Sequence, residues 1–297
     1  MRIVLAGASG FLGSHLRVSL AQDGHDLVPL VRRPPRSGEV RWDPDARSLD
    51  PAVLAGADAV VNLAGAGVED KRWTDAYRRV LRSSRVNPTA TLATALALLP
   101  STQRPRVLVN ASAVGFYGDT GDTPVDETHA PGSGFFPELC QAWEAATAPA
   151  RQADVRVVLL RTGLVLGPGG LLRPLALTTR LFAGGPLAGG RWWMPWIAMA
   201  DWTGAVRFLL ERSGVDGPVN VVGPDPVRNK EFAATLGRVL HRPAPWPVPR
   251  LALRLVLGPF ADEAVASQRV LPGVLTRAGY TFQHSTVEDA LRATLQR

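Results

Sequence analysis

Short apolar runs alternate along this chain with longer amphipathic stretches, and the alternation predicts its elements in order. RIVLAGA (residues 2–8) is an apolar run turning Gly-rich, and GFLGSHLRVSLAQDG (10–24) has helical spacing stopped at Gly24. HDLVPLV (25–31) and DAVVNLAG (58–65) read as strands, the second preceded by a short helix-like LDPAVLAGA (49–57). A polar, Arg-rich helix follows from about Thr74, then ATLATALALL (90–99). RVLVNASA (106–113), VRVVLLRTGLVLG (155–167) and GPVNVVG (217–223) are further strands, with WEAATAPARQ (143–152) helical between the first two. Strands rich in Val and Leu, interleaved with helices, predict an α/β fold: a Rossmann-type, doubly wound parallel sheet covered on both faces.

The pattern changes after Leu166. GPGGLLRPL (167–175) and LFAGGPLAGGRWWMPW (181–196) are rich in Gly, Pro and Trp. Trp192, Trp193 and Trp196 suit either a lobe core or a platform for a planar substrate. PAPWPVPR (243–250) reads as an extended connector, followed by two or three helical stretches. The expected organisation is an NADP-binding Rossmann domain of residues 1–166 and 201–222. A smaller, mostly helical substrate lobe takes residues 167–200 and 223–297. Ligands in such folds bind outside the C-terminal edge of the sheet, where strand order reverses.

Composition narrows the partners. A chain of 297 residues with 46% hydrophobic and 20% charged content buries a substantial core. No run approaches the ~18 apolar residues of a membrane span, and MRIVLAGASG turns Gly-rich too early for a signal peptide. The single cysteine, Cys140, excludes an internal disulfide and fits a reducing compartment, so the expected location is cytoplasmic. The net charge of +7 raises nucleic acid as a partner. However, only Lys71 and Lys230 are lysines, the arginines are scattered, and the densest cluster, YRRVLRSSR (77–85), has the spacing of a solvated helix face. The expectation is a small-molecule substrate, no nucleic acid, no membrane and no metal, with homodimerisation left open.

Gly7, Gly10 and Gly13 form G-x-x-G-x-x-G between the first strand and the first helix. In that setting the first Gly permits the tight turn, the second admits a pyrophosphate, and the third allows close helix–strand packing. The helix N-terminus adds unpaired N–H groups and its positive dipole end. Ser9, Phe11 and Leu12 complete the loop and are expected to meet the cofactor with the glycines. A NAD-selective protein carries an acid about 20 residues further on to hold the ribose hydroxyls. Here the second strand ends LVPLVRRPPR (27–36), with Arg32 and Arg33 at that place, and Asp26 comes too early. A guanidinium there suits a 2′-phosphate, so NADP(H) is preferred over NAD(H).

With these residues the chain resembles the extended short-chain dehydrogenase/reductases. More narrowly it resembles their atypical epimerase-like branch, also labelled SulA-like or nucleoside-diphosphate-sugar epimerase-like. The carrying stretches are GASGFLGSHL, DAVVNLAG with RW and SSR downstream, NASAVGFYGDTGD, CQAWEAA, LLRTGLVLGPGG, GGPLAGGRWWMPWI and PVNVVGPDPVRNKEF. QRVLPGVLTRAGYTF (268–282) matches the small helical domain peculiar to that branch. The resemblance implies that Arg32, Leu63, Ala64, Gly65 and Arg85 line the cofactor with the three glycines. One departure is local: where the branch reads W-I-H and an acidic pair, this chain reads Trp196-Ile197-Ala198-Met199-Ala200-Asp201.

In the parent family a Tyr and a Lys four residues apart handle the proton while the nicotinamide exchanges hydride. The ammonium lowers the phenol's pKa and anchors the ribose. GFFPELCQAWEAA (134–146) places Phe136 and Cys140 there instead, and both are expected to be packing residues. Gly67 and Pro226 stand four residues before Lys71 and Lys230, so the chain contains no Tyr-x-x-x-Lys. Ser112, near the usual Ser or Thr place, and Tyr117, in GFYG, are the candidate catalytic residues, with Glu138 and Cys140 as further options. Two readings stay open. One is an NADP(H)-dependent oxidoreductase or epimerase-like enzyme with an unusual proton donor; the other is a non-catalytic NADP-binding sensor or scaffold.

Overall fold

A computed structural model describes residues 1–258 and 260–296; positions 259 and 297 of the expected substrate lobe lie outside the described residues. The strands are β1 (Arg2–Ala6), β2 (Asp26–Val31), β3 (Val40–Arg41), β4 (Ala59–Asn62), β5 (Val107–Ala113), β6 (Pro124–Val125), β7 (Arg156–Thr162), β8 (Leu164–Leu166), β9 (Trp193–Met194), β10 (Trp196–Ala198), β11 (Gly217–Val221), β12 (Val227–Arg228) and β13 (Arg269–Val270). The helices are α1 (Phe11–Gln22), α2 (Asp75–Leu98), α3 (Phe135–Ala145), α4 (Ala148–Gln152), α5 (Leu172–Arg180), α6 (Met199–Glu211), α7 (Asn229–Leu240), α8 (Arg250–Leu257), α9 (Phe260–Ala264), α10 (Gly273–Arg277) and α11 (Val287–Leu295).

Seven strands form one sheet in the order β11-β7-β5-β4-β1-β2-β3. β1 pairs in parallel with β2 and β4, and β4 pairs in parallel with β5. Strand order therefore runs outward in both directions from the β1–β4 pair, which is the switch point of a Rossmann-type sheet. β1 and β4 are buried almost throughout, as near-continuous apolar runs require when helices cover both faces.

The chain divides into two compact units. Met1–Ser112, Leu139–Leu160 and Val206–Pro218 form the first; Ala113–Glu138, Arg161–Ala205 and Val219–Arg297 form the second. The first has a core of Val4, Ala6, Val60, Leu92, Leu96 and Leu108, among others. Its longest helix, α2, absorbs both the Arg-rich stretch and ATLATALALL in one run, despite Pro88 in its interior. Thr74 caps its start by accepting from the Tyr77 N–H. Arg104 caps its end, donating to the carbonyls of Leu96, Leu99 and, beyond the helix, Ala153. Arg156 does the same for the last turn of α6, reaching the carbonyls of Leu209 and Leu210. Cationic side chains are favoured at helix C-termini, where carbonyls lack partners. Part of the positive charge that suggested nucleic acid is thus held by the fold itself.

The second unit packs Trp196, Phe232, Leu236 and Leu291 in its own core. The expected strand 155–167 breaks at Gly163, where an added Cβ would lie 2.5 Å from the Pro195 carbonyl oxygen and 2.9 Å from Val222 Cγ1. Past that crossing, β8 pairs in parallel with β10. The tail forms four helices among the described residues where two or three were expected, because Gly258 (φ 63) ends α8 and the last two helices are separate elements. Asp201, fully buried, accepts from the Gln283 and His284 N–H groups and contacts His284 Nδ1 at 2.9 Å. The altered 196–201 stretch therefore carries a carboxylate that ties down residues 283–284.

Candidate functional site

β1 and β4 end side by side, with Ala6 opposite Asn62. Gly7 then turns with φ +80, and a Cβ there would lie 2.6 Å from the Leu63 carbonyl. At Gly13 a Cβ would lie 2.1 Å from the Gly7 carbonyl oxygen, so α1 packs against the loop through glycine alone. Gly10 differs. Its nearest atom is the Gly7 oxygen at 3.4 Å, and beyond it the added Cβ would enter open space. The fold does not require glycine at position 10; the space above it is a cradle that a side chain would fill. Gly10 is also the N-cap of α1, with no side-chain cap and no acid in the first turn. The first N–H groups of α1 are therefore left for an anion. Ser9 is exposed beside Gly10, and Phe11 and Leu12 are half-buried.

The two arginines after β2 separate cleanly. Arg33 forms a two-pronged ion pair with Glu39, at 2.7 and 2.6 Å, which holds the Glu39 carboxyl down at about 2. That clasp is complete above the ordinary carboxylate range and fades only as pH falls toward about 2. Arg32 is exposed and has no hydrogen-bond or ion-pair partner among the described residues. β1 and β2 are in register up to Ala6 and Leu30, so Arg32 stands at the same sheet edge as the glycine loop.

Beneath the edge lies a polar floor that sequence reasoning missed. Asn62 and Asn110 face each other across β4 and β5, and Asn62 Nδ2 donates to Asn110 Oδ1 at 2.7 Å. The Thr89 hydroxyl accepts from Asn62 and from Trp143 Nε1 and donates to Asn110, using its full capacity. Asn62 Oδ1 in turn accepts from the Ala64 N–H, fixing the backbone beside the loop. A signal existed: AVVN and VLVN are apolar strands that both place Asn at the same level. Satisfied buried networks of this kind rigidify what they support.

Arg85 lies at this edge, half-buried, donating to the carbonyls of Leu81 and Ala66. Its guanidinium stands 5.2 Å from the centre of the Trp143 ring, and burial lowers its pKa. Ser112, two residues past Asn110 on β5 and buried, donates to Glu144 Oε1 at 2.6 Å. So short a contact marks a charge-assisted bond to a carboxylate. Tyr117 is buried in the second unit: its hydroxyl donates to Asn220 Oδ1 at 2.8 Å and accepts from Arg161 at 3.0 Å. Burial raises its pKa despite the lowering influence of Arg161.

Comparison with known proteins now decides the family. Residues 3–223 match the NAD dependent epimerase/dehydratase family, and residues 248–294 match a domain of unknown function (DUF1731). The chain belongs to the NAD dependent epimerase/dehydratase family. An epimerase family protein of Mycobacterium bovis is 43% identical over 292 residues, spanning 97% of this chain and 96% of that protein. A chloroplastic SDR39U1 homolog of Arabidopsis thaliana, also an epimerase family protein, is 35% identical, spanning 100% and 87%. The crystal structure of human epimerase family protein SDR39U1 (isoform 2) with NADPH matches with a TM-score of 0.93 at 32% identity, covering 100% of each chain.

In this member of the epimerase/dehydratase family, α3 carries the places of the missing Tyr and Lys. The Phe136 side chain lies against Gly115, whose added Cβ would sit 3.1 Å from it, and its ring meets Phe260 edge-on. Cys140 is 1% exposed. Both pack. Glu138 is exposed in the first turn of α3, where a carboxylate serves the helix dipole. Glu144 was missed, although it lies one turn beyond Cys140 and so on the same face of α3. No helix among the described residues is long and apolar enough to cross a membrane. Cys140→Ala is expected to leave NADPH affinity within a few-fold of wild type by calorimetric titration; a tenfold loss would make the thiol a participant.

Proposed function

We propose that this protein is an NADP(H)-binding oxidoreductase or epimerase-like enzyme acting on a small molecule, with Ser112 and Glu144 as its proton-handling pair. The observation that carries the reading is the open cradle over Gly10 at the sheet's switch point. Gly7, Gly10 and the N–H groups opening α1 hold the pyrophosphate, with Leu63 and Ala64 beside it. Arg32, with no partner of its own, takes the 2′-phosphate. When bound, the nicotinamide supplies hydride exchange.

The chain's own groups then manage the proton. In the oxidative direction Ser112 accepts the proton of a substrate hydroxyl as it passes its own to the Glu144 carboxylate. In the reductive direction the same path runs backwards, delivering a proton to the new alkoxide. Tyr117 is left out of this role, because its hydroxyl is engaged on both sides and its raised pKa makes it a weaker acid.

Nucleotide choice tests the reading directly. NADPH is expected to bind at least tenfold tighter than NADH, a difference of about 1.4 kcal/mol. Arg32→Ala should erase that preference by weakening NADPH while leaving NADH where it was. Calorimetric titration of both proteins with both nucleotides measures it, and equal affinities in the wild type would overturn the assignment of Arg32.

A further inference from the structure

We infer that the second unit docks on an anionic lipid surface through a face built by α5, the loop after it, the connector before α8, and α8 itself. Among the described residues, seven of the eight exposed large hydrophobic side chains of this unit fall in two segments, 171–182 and 246–255. Phe182 is 54% exposed, Trp246 65%, Leu251 69% and Leu255 72%. Exposed apolar side chains gathered in this way mark a surface that meets a membrane or another molecule.

The two segments run side by side. The Val248 N–H donates to the Pro186 carbonyl at 2.8 Å, and the Ala188 N–H donates to the Val248 carbonyl at 2.9 Å. The Arg242 guanidinium stands 5.1 Å from the centre of the Phe182 ring. α8 starts two residues past Val248, and Leu251 and Leu255 are one turn apart on it, so they share a face. A groove of about 620 Å³ adjoins the face at Arg242, lined also by Ala234, Gly237, Pro243, Ala244 and Pro245. Its apolar walls suit a hydrocarbon chain.

Charge selects the occupant. Residues 167–192 and 241–257 hold six arginines and no Asp or Glu. Arg173, Arg180 and Arg191 are exposed and have no acidic partner among the described residues. Arg250 and Arg254 share a single carboxylate, Asp262 of α9, so the face keeps an excess of positive charge. A second copy fits poorly, because in a two-fold contact the patch meets itself and arginine would face arginine. An acidic protein would answer the charge alone. A lipid surface answers both features: the arginines meet phosphate headgroups while Trp246, Leu251 and Leu255 enter the acyl boundary. No helix among the described residues is long and apolar enough to span a membrane, but lying on one needs only an apolar face. The expectation of no membrane partner thus narrows to the lack of a spanning segment.

The experiment sediments the whole chain with vesicles of phosphatidylcholine alone and of phosphatidylcholine and phosphatidylglycerol in equal parts. The mixed vesicles are expected to bind at least about tenfold more tightly, with the preference falling as salt rises. Trp246→Ala with Leu255→Ser, and separately Arg173→Glu with Arg180→Glu, should each weaken binding to the mixed vesicles about tenfold. Arg17→Glu with Arg79→Glu reverses two exposed arginines of the first unit and should leave binding within about twofold. That matched pair separates a docking face from the general attraction of a basic protein. Every substituted side chain is exposed, melting curves check each fold, and the wild type's preference between vesicles stands without any variant. No preference for the mixed vesicles, or equal loss from the two charge reversals, would overturn the inference. So would a dimer in solution that Trp246→Ala with Leu255→Ser dissociates, which would give the face to a second copy. Binding to poly-glutamate as tight as to the mixed vesicles would give it to an acidic protein instead, and would overturn the inference as well.

Discussion

Gly10→Ala is expected to abolish NADPH binding in a protein that melts like the wild type, whereas Gly13→Ala should lose the native fold. The two glycines belong to one motif but meet different surroundings. At Gly13 a methyl group would lie 2.1 Å from the backbone oxygen of Gly7, and backbone cannot swing aside as a flexible side chain can. Overpacking costs ~1–3 kcal/mol when a core can adjust, and here α1 would have to move off the loop. At Gly10 the methyl meets the protein only at 3.4 Å, an ordinary contact. In the proposed binding mode it fills the pyrophosphate's approach path instead. Melting with and without NADPH separates the outcomes, because a ligand at 100 times its Kd stabilises by ~2.7 kcal/mol. A Gly10→Ala protein that still gains the wild-type stabilisation would show that the cradle is not the phosphate site.

The fold and the glycine loop were legible because period and punctuation act locally. RIVLAGA followed by a helical repeat starting at Phe11 is a strand–turn–helix whichever other strands surround it. The break at Gly163 was not legible, since it depends on the Pro195 carbonyl, which is distant in sequence. The arginines after β2 show the same limit. Both occupied the right place, but only the three-dimensional loop reveals that Glu39 claims Arg33 and leaves Arg32 exposed. Cys140 and Phe136 could be read as packing residues from their side chains alone, whereas the positive charge near Cys140 comes from a separate helix.

The two candidate proton donors are expected to fail in opposite ways. Ser112→Ala and Glu144→Gln should each lower turnover by the ~10²–10⁴-fold typical of a lost acid/base group. The first removes the donor of the 2.6 Å bond; the second leaves an amide oxygen to accept it but removes the carboxylate that would take the proton. Neither is expected to abolish NADPH affinity, because in the proposed binding mode the glycine loop and Arg32 hold the phosphates independently of this pair. Tyr117→Phe should do the reverse. It strands Asn220 Oδ1, fully buried, and removes one acceptor from Arg161, so it should cost about 1–3 kcal/mol of stability. The folded fraction should turn over at the wild-type rate, because the phenol is bonded into the second unit's interior. NADPH oxidation against a panel of aldehydes and ketones, with melting curves for each variant, reads both effects. Wild-type turnover in Ser112→Ala together with lost turnover in a fully folded Tyr117→Phe would move the proton chemistry to Tyr117. A wild type that binds NADPH tightly but fails to oxidise it with every carbonyl compound of the panel would favour the sensor or scaffold reading, in which Ser112 and Glu144 serve only to hold α3 against β5.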